Sequence, residues 1–171
     1  MADRPDFRES RHSVTDGVYR IVFDRPEQFN AFTPNLYNEI RLGVLYAQDD
    51  PTVRCVVLEG AGGAFASGGD LKTLQDVLEN EGSGIGAYME AFEDPLPYQA
   101  ILESPKPVVA KIDGLCLAGG LLIAAAADIA IASEGSRFGL PEAKVGVADA
   151  FASSLLPSIV GLARARFLMF T

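Results

Sequence analysis

The chain reads as an α/β protein built on a mainly parallel sheet. Three features of the sequence point there. Short apolar, β-branched runs alternate with longer helical periodicities. The run Val53–Glu59 (VRCVVLE) is almost continuously apolar, as a strand buried on both faces must be. Glycine-rich segments join strand to helix twice, at Gly60–Asp70 (GAGGAFASGGD) and Gly114–Leu121 (GLCLAGGL).

The elements follow in order. Gly17–Phe23 (GVYRIVF) alternates and is rich in β-branched and aromatic residues, so it predicts a strand. Asp24–Phe29 is a polar loop. Thr33 as N-cap, Pro34 at the first helical position and the periodic Leu36, Ile40, Val44 and Leu45 predict a helix ending near Asp49, before Pro51. Val53–Glu59 is the second strand, followed by the glycine-rich segment and a short helix over Leu71–Glu79. Asn80–Gly86 is polar and expected to be mobile, and Ala87–Leu102 is helical with interruptions at Pro95 and Pro97. Lys106–Ile112 (KPVVAKI) is the third strand. A turn leads to a helix from Gly119 to Ala127, then a fourth strand over Asp128–Ser133 (DIAIAS). Gly135–Val147 is loop with room for a short strand at Arg137–Phe138. Ala150–Val160 predicts a helix broken by Pro157, and Ala163–Phe170 starts another. Crossovers between parallel strands should be right-handed, covering the sheet with helices.

Composition narrows the function classes. With 49% hydrophobic and 22% charged residues over 171 positions, the chain is globular and long enough for one domain with a substantial core. A net charge of -9 argues against nucleic acid, whose phosphate backbone requires clustered Lys and Arg. It leaves room for a phosphorylated small ligand, which needs only a few local donors. The longest apolar run, Leu115–Ala127, falls short of the roughly 20 residues of a membrane span. The polar N-terminus lacks a signal-peptide pattern, so a soluble, cytoplasmic protein is expected. Cys55 and Cys116 sit in apolar runs and read as buried reduced thiols. With one histidine, His12, and no ligand spacing, no metal site is expected.

Chemistry concentrates at the two glycine-rich turns. Glycine lets the backbone approach a ligand, and a helix N-terminus presents unpaired N–H groups with a partial positive charge. Two such turns facing one another would aim two donors at one oxygen, the geometry of an oxyanion hole. Each turn taken alone is equally readable as a tight strand-to-helix connection. Neither contains an intact GxGxxG or GxxxxGK[ST] pattern, which argues against a dinucleotide or P-loop site. Ser67 has only His12 as a prospective base, far off in sequence, so a Ser-His-Asp triad is not supported.

Four stretches resemble the enoyl-CoA hydratase/isomerase (crotonase) superfamily. They are Asp24–Phe32 (DRPEQFNAF), Ala64–Lys72 (AFASGGDLK), Lys106–Ser133 (KPVVAKIDGLCLAGGLLIAAAADIAIAS) and Phe138–Gly146 (FGLPEAKVG), in the family's order and spacing. The resemblance implies a fold of repeated ββα units with two roughly perpendicular sheets, over residues 17–171. Residues 1–16 would be an N-terminal extension, and the family's usual C-terminal helical region would be absent after Thr171. It further implies an acyl-CoA substrate, with CoA as part of the substrate and no separate cofactor, and homotrimers or hexamers.

Carried over by position, the resemblance makes the main-chain N–H groups of Gly69 and Gly119 the oxyanion donors. Asp70, Leu71 and Lys72 would line the CoA cleft, with Ala31 and Ala66 beside the pantetheine and adenine. Lys72 would either reach a CoA phosphate or lie in solvent. Hydratases of the family use two glutamates; here one of those positions is Leu122 and the other is Glu142. Asp149 falls near a position where other members carry a catalytic aspartate, allowing for one residue fewer in Gly146–Ser154 (GVADAFASS). Apolar neighbours would raise its pKa. On residue type alone Asp149 is also a good helix N-cap, and Glu142 a candidate for a loop ion pair. Asp128 matches a structural family aspartate. One carboxylate suits shuttling a proton across an allylic system better than holding a water for hydration. Enolate chemistry ending in double-bond isomerisation is therefore the leading expectation. Hydration, thioester hydrolysis, decarboxylation, or CoA-thioester binding without turnover are the alternatives.

Overall fold

The computed structural model describes residues 7–80, 95–146 and 149–171. Its elements are β1 (Ser10–Thr15), β2 (Val18–Phe23), α1 (Pro34–Asp49), β3 (Cys55–Gly60), β4 (Ala64–Ala66), α2 (Leu71–Asn80), α3 (Tyr98–Leu102), β5 (Val108–Ile112), β6 (Leu115–Leu117), α4 (Gly119–Ala126), β7 (Ile129–Ala132), β8 (Arg137–Gly139), α5 (Ala150–Val160) and α6 (Leu162–Phe170). Short 3-10 turns occupy Pro26–Gln28 and Pro141–Val145.

The strands form a five-stranded sheet, ordered β1-β2-β3-β5-β7, and a three-stranded sheet, ordered β4-β6-β8. The ββα repeat is visible in this ordering. The pairs β3/β4, β5/β6 and β7/β8 each send the first strand to the large sheet and the second to the small one. All pairings are parallel except β1 with β2. Tyr19, Ile21, Phe23, Val56, Leu58, Val108 and Ala110 point to one face of the large sheet and pack on Leu36, Ile40 and Val44 of α1. At roughly 25 cal/mol per Å² of apolar surface removed from water, this layer is the main source of stability.

Helix α1 starts as its sequence predicts: the Thr33 side chain accepts from the Leu36 N–H at 3.0 Å, and Pro34 occupies the first turn. Elsewhere the structure corrects the sequence reading. The stretch expected as an N-terminal extension contributes a strand, β1, registered from Ser10 opposite Phe23 to Thr15 opposite Val18. It is fastened by Glu39, a buried carboxylate of α1. Glu39 accepts from the N–H groups of Arg8 (2.7 Å) and Glu9 (3.1 Å), from the Ser10 hydroxyl and from Asn35 Nδ2. Polar side chains there made the segment look solvent-facing; a single buried acceptor reverses that.

Strands β4 and β6 were expected only as glycine-rich turn. Each is three residues long, too short for any periodicity, and exists because its neighbour in the small sheet pairs with it. Helix α5 continues through Pro157 rather than breaking there, and stops at Gly161, whose φ of 80° leaves the helical region. Of the segment expected to be mobile, Asn80–Gly86, Asn80 ends α2 and residues 81–86 lie outside the described residues, as does the first half (87–94) of the expected helix Ala87–Leu102; in its described half, α3 covers Tyr98–Leu102. Among the described residues, no helix is long and apolar enough to cross a membrane. None of their His, Cys, Asp and Glu side chains gather in threes as a metal would require.

Candidate active site

The two glycine turns come together. A Cβ placed on Gly68 would stand 2.4 Å from that of Ala118, and one on Gly120 would stand 2.8 Å from that of Ala66. The pairing of β4 with β6 (Ala64 with Leu115, Ala66 with Cys116) is what brings them side by side. The sequence places a glycine where each close approach occurs.

Each turn leaves one main-chain N–H unspent by regular structure. Phe32 and Gly69 form a parallel bridge, in which the Phe32 N–H donates to the Gly68 carbonyl (2.7 Å) and the Asp70 N–H to the Phe32 carbonyl (2.9 Å). Gly69's neighbours make both bonds, so its own N–H points away from that segment. Gly119 is the first residue of α4, where an N–H has no intrahelical partner and the helix dipole favours negative charge. Ala118 just before it donates to the Gly139 carbonyl at 2.9 Å. Ala118 also holds φ 52° and ψ -128°, a conformation ordinarily left to glycine. Such strain costs about 1–3 kcal/mol and turns the chain sharply into the helix.

The loop before α1 is locked against the first turn. Asn30, fully buried at φ 55°, donates from Nδ2 to the carbonyls of Ala61 (2.8 Å) and Ala64 (2.7 Å) and accepts from the Arg25 N–H (3.0 Å). The Arg25 guanidinium donates to the Ala31 carbonyl, to Asp70 Oδ2 (2.9 Å), and pairs with Glu9 at 3.3 Å. Asp70 Oδ1 accepts from the N–H groups of Lys72 (3.0 Å) and Thr73 (3.1 Å), capping α2. Burial pushes the Asp70 carboxyl up. The Thr73 N–H, the Arg25 guanidinium and the Lys72 N–H outweigh that and hold it below the usual carboxylate range.

Asp70 therefore faces inward, at 8% exposure, while Leu71 (68%) and Lys72 are on the surface. Ala31 and Ala66 are buried, so a ligand would meet them through their backbones. Asp70→Asn should keep the cap and lose the ion pair, whereas Asp70→Ala should lose both and cost about 1 kcal/mol more in urea unfolding. Because the folded pKa is depressed, the stability Asp70 adds is present above the ordinary carboxylate range. It should fade as pH falls through its folded value, which the two variants will not show.

Two further carboxylates follow β8 in the chain. Gly139 pairs with Leu117, and the chain then passes through Leu140 into the Pro141–Val145 turn that carries Glu142. Oε2 of Glu142 is buried and has no hydrogen-bond partner among the described residues. Burial, first, and the nearby Asp149 charge push the Glu142 carboxyl above its ordinary value, against a backbone hydrogen bond that lowers it. Asp149 is half-buried and caps α5, accepting from the Ala152 N–H at 2.9 Å. Asp149 thus has the capping role its residue type allowed, and it is also close enough to Glu142 to perturb it. Leu122 is 1% exposed in the apolar core. Cys116, at the centre of β6, is fully buried, which pushes its thiol up to about 12 and keeps it protonated.

Several groups at the site escaped the sequence reading. A Cβ on Gly119 would lie 2.0 Å from the Tyr37 hydroxyl and 3.4 Å from that of Tyr98. Both tyrosines look like ordinary apolar-face positions of helices, and nothing local marks them. Arg25, Asn30 and Ala118 lie inside the motif stretches but have no role in the sequence pattern. A separate open depression of about 500 Å³ lies on the outer face of the large sheet. Its polar groups are paired within it, Lys111 with Glu59 at 2.6 Å and the Ser133 hydroxyl donating to Asp113 at 2.7 Å, and it is built from none of the glycine-turn donors or acidic groups above.

Known proteins resemble this chain along most of its length. A family model described as enoyl-CoA hydratase/isomerase matches residues 13–171. The mevalonyl-coenzyme A hydratase SIDH of Beauveria bassiana is 40% identical over 155 residues, 86% of this chain and 54% of that protein. The 1,2-epoxyphenylacetyl-CoA isomerase of Escherichia coli is 31% identical over 153 residues, 89% of this chain and 58% of that protein. A solved enoyl-CoA hydratase/isomerase from Xanthobacter autotrophicus superposes with a TM-score of 0.83 at 35% identity, covering 96% of this chain and 60% of the other. The chain thus spans little more than half the length of the curated relatives it matches.

Proposed function

Because this chain belongs to the enoyl-CoA hydratase/isomerase family and has the crotonase fold, we propose that it carries the core of an acyl-CoA site that works through an enolate. The thioester carbonyl oxygen lies between the N–H groups of Gly69 and Gly119. Glu142 removes a proton next to the thioester, the two donors hold the negative oxygen, and Glu142 or Asp149 returns a proton further along the chain. Preorganised donors of this kind contribute on the order of 10²–10³ each to rate.

The observation that carries this reading is the buried Oε2 of Glu142, which has no hydrogen-bond partner among the described residues, together with the nearby Asp149. An ionised carboxylate left without a donor is costly to the fold, and a raised pKa suits proton transfer near neutrality. The two curated relatives are named for different reactions, a hydratase and an isomerase, so they do not choose between them. Leu122 supports one of the two: an apolar core residue stands where the family resemblance puts a second hydratase carboxylate. We therefore favour double-bond isomerisation over hydration. Assembly into homotrimers or hexamers is part of the same reading.

The test is a panel of 2-enoyl- and 3-enoyl-CoA thioesters followed by chromatography, with the pH dependence of kcat/KM. Interconversion of the two double-bond positions is expected, with an acid limb set by Glu142. Asp149→Asn keeps the helix cap and removes the charge that raises Glu142, so the limb should move to lower pH. Hydration products alone, or a limb unmoved by Asp149→Asn, would overturn the assignment.

A further inference from the structure

Ala118 touches three parts of the candidate site while holding a backbone conformation that suits glycine, φ 52° and ψ -128°. Its methyl lies against Gly68, where an added Cβ would stand 2.4 Å from it, and Gly68 precedes the first donor, Gly69. Its N–H donates at 2.9 Å to the carbonyl of Gly139, three residues before Glu142. Its carbonyl accepts from the Leu122 N–H at 3.2 Å, opening the helix that begins with the second donor, Gly119. Glycine at this position would relieve the strain and keep both main-chain bonds. What glycine lacks is the methyl. Without that methyl, the nearest atom to a Gly68 Cβ would be the Leu117 carbonyl oxygen at 3.5 Å. Strain of this kind persists only where surrounding contacts over-determine it, and it gathers at sites that depend on fixed geometry.

Resting on the reading that a thioester carbonyl lies between Gly69 and Gly119, we propose that Ala118 is a positioning residue whose methyl sets the separation of the two donors. Two N–H groups share one oxygen only over a narrow range of separations, because a hydrogen bond weakens steeply away from its preferred length and angle. The bond from Ala118 to Gly139 ties this spacer to the strand that leads to Glu142, so donors and base are held in one frame.

The spacer role sets stability against catalysis, which a residue that only packs would not do. Ala118→Gly should melt no lower than wild type, because relief of strain offsets the lost methyl and the more flexible unfolded chain. Its kcat on the enoyl-CoA panel should fall about tenfold, short of the 10²–10³ for losing a donor outright, with KM nearly unchanged. Infrared difference spectra of butyryl-CoA, isotope-labelled at its carbonyl carbon, read the donors directly in a Glu142→Gln background. With Ala118 in place the carbonyl band should move to lower wavenumber on binding, and with Ala118→Gly that shift should shrink. A band shift identical in the two proteins, an unchanged kcat, or a lowered Tm each overturns the spacer and leaves the thioester site standing. If the band does not shift even with Ala118 in place, no carbonyl meets the donors, and the thioester reading fails together with the spacer.

Discussion

Glu142→Gln is expected to remove turnover and, at the same time, to stabilise the folded chain. Proton transfer by a positioned group is worth about 10²–10⁴ in rate, and Glu142 is the group proposed here to perform it. The same residue is unfavourable for folding, because its Oε2 is buried with no partner among the described residues and burial together with Asp149 disfavours its charge. An amide of the same shape carries no charge to desolvate. The gain should be about 1 kcal/mol, or about 2–4 °C in Tm for a chain of this size. The sign of the pH dependence follows from the raised pKa. Below the ordinary carboxylate range Glu142 is protonated in folded and unfolded chains alike, and Gln confers no advantage. As pH rises, the unfolded chain ionises first, so wild-type stability falls relative to the variant until pH passes the folded value of Glu142. Thermal melts of both proteins across pH 4 to 8 (about the range where carboxylates and perturbed carboxylates titrate) check this. Equal melts throughout, or a less stable variant, would mean that Glu142 has a partner in solution.

Gly119→Ala should have the second large effect. The backbone at Gly119 is helical, so alanine is conformationally acceptable there, and the cost comes from contact alone. The new methyl would stand 2.0 Å from the Tyr37 hydroxyl, so either the ring or the start of α4 must shift. Overpacking of this kind costs about 1–3 kcal/mol. On the proposed reading, a shift at the helix start also moves the Gly119 N–H off the carbonyl oxygen, with an expected loss on the order of 10²–10³ in kcat. Adding Tyr37→Phe removes the colliding oxygen. The next atoms are the Tyr37 ring carbon at 3.2 Å and the Tyr98 hydroxyl at 3.4 Å, so most of the stability should return. Gly135→Ala, with nothing within 4 Å, is the control expected to be near neutral. A double variant no more stable than Gly119→Ala would show that the methyl is obstructed elsewhere.

Much of this architecture was legible before any coordinates. Thr33–Pro34 marks the start of α1 because capping is a local event: a side chain three residues away satisfies an N–H. Gly119 marks the start of α4 because glycine is needed where chains touch. The motif stretches carried Gly69, Gly119 and Glu142, since short segments keep their residue pattern whatever surrounds them.

What could not be read locally depends on partners distant in the chain. β1 looked like a polar tail because the carboxylate that fastens it, Glu39, lies about thirty residues away on α1. β4 and β6 are strands only because each lies next to the other. Asp149 offered two roles from its residue type, and the fold uses it as a cap while also setting it against Glu142. The tyrosine hydroxyls at Gly119 come from helices some sixty residues apart, and only packing brings them together. Composition, capping and glycine spacing are properties of neighbouring residues, so the sequence alone settles the α/β class, the two turns and the acyl-CoA family they resemble. Burial, charge coupling and convergence on one atom are properties of the assembled core. They determine which carboxylate oxygen has no hydrogen-bond partner among the described residues and which side chains meet Gly119.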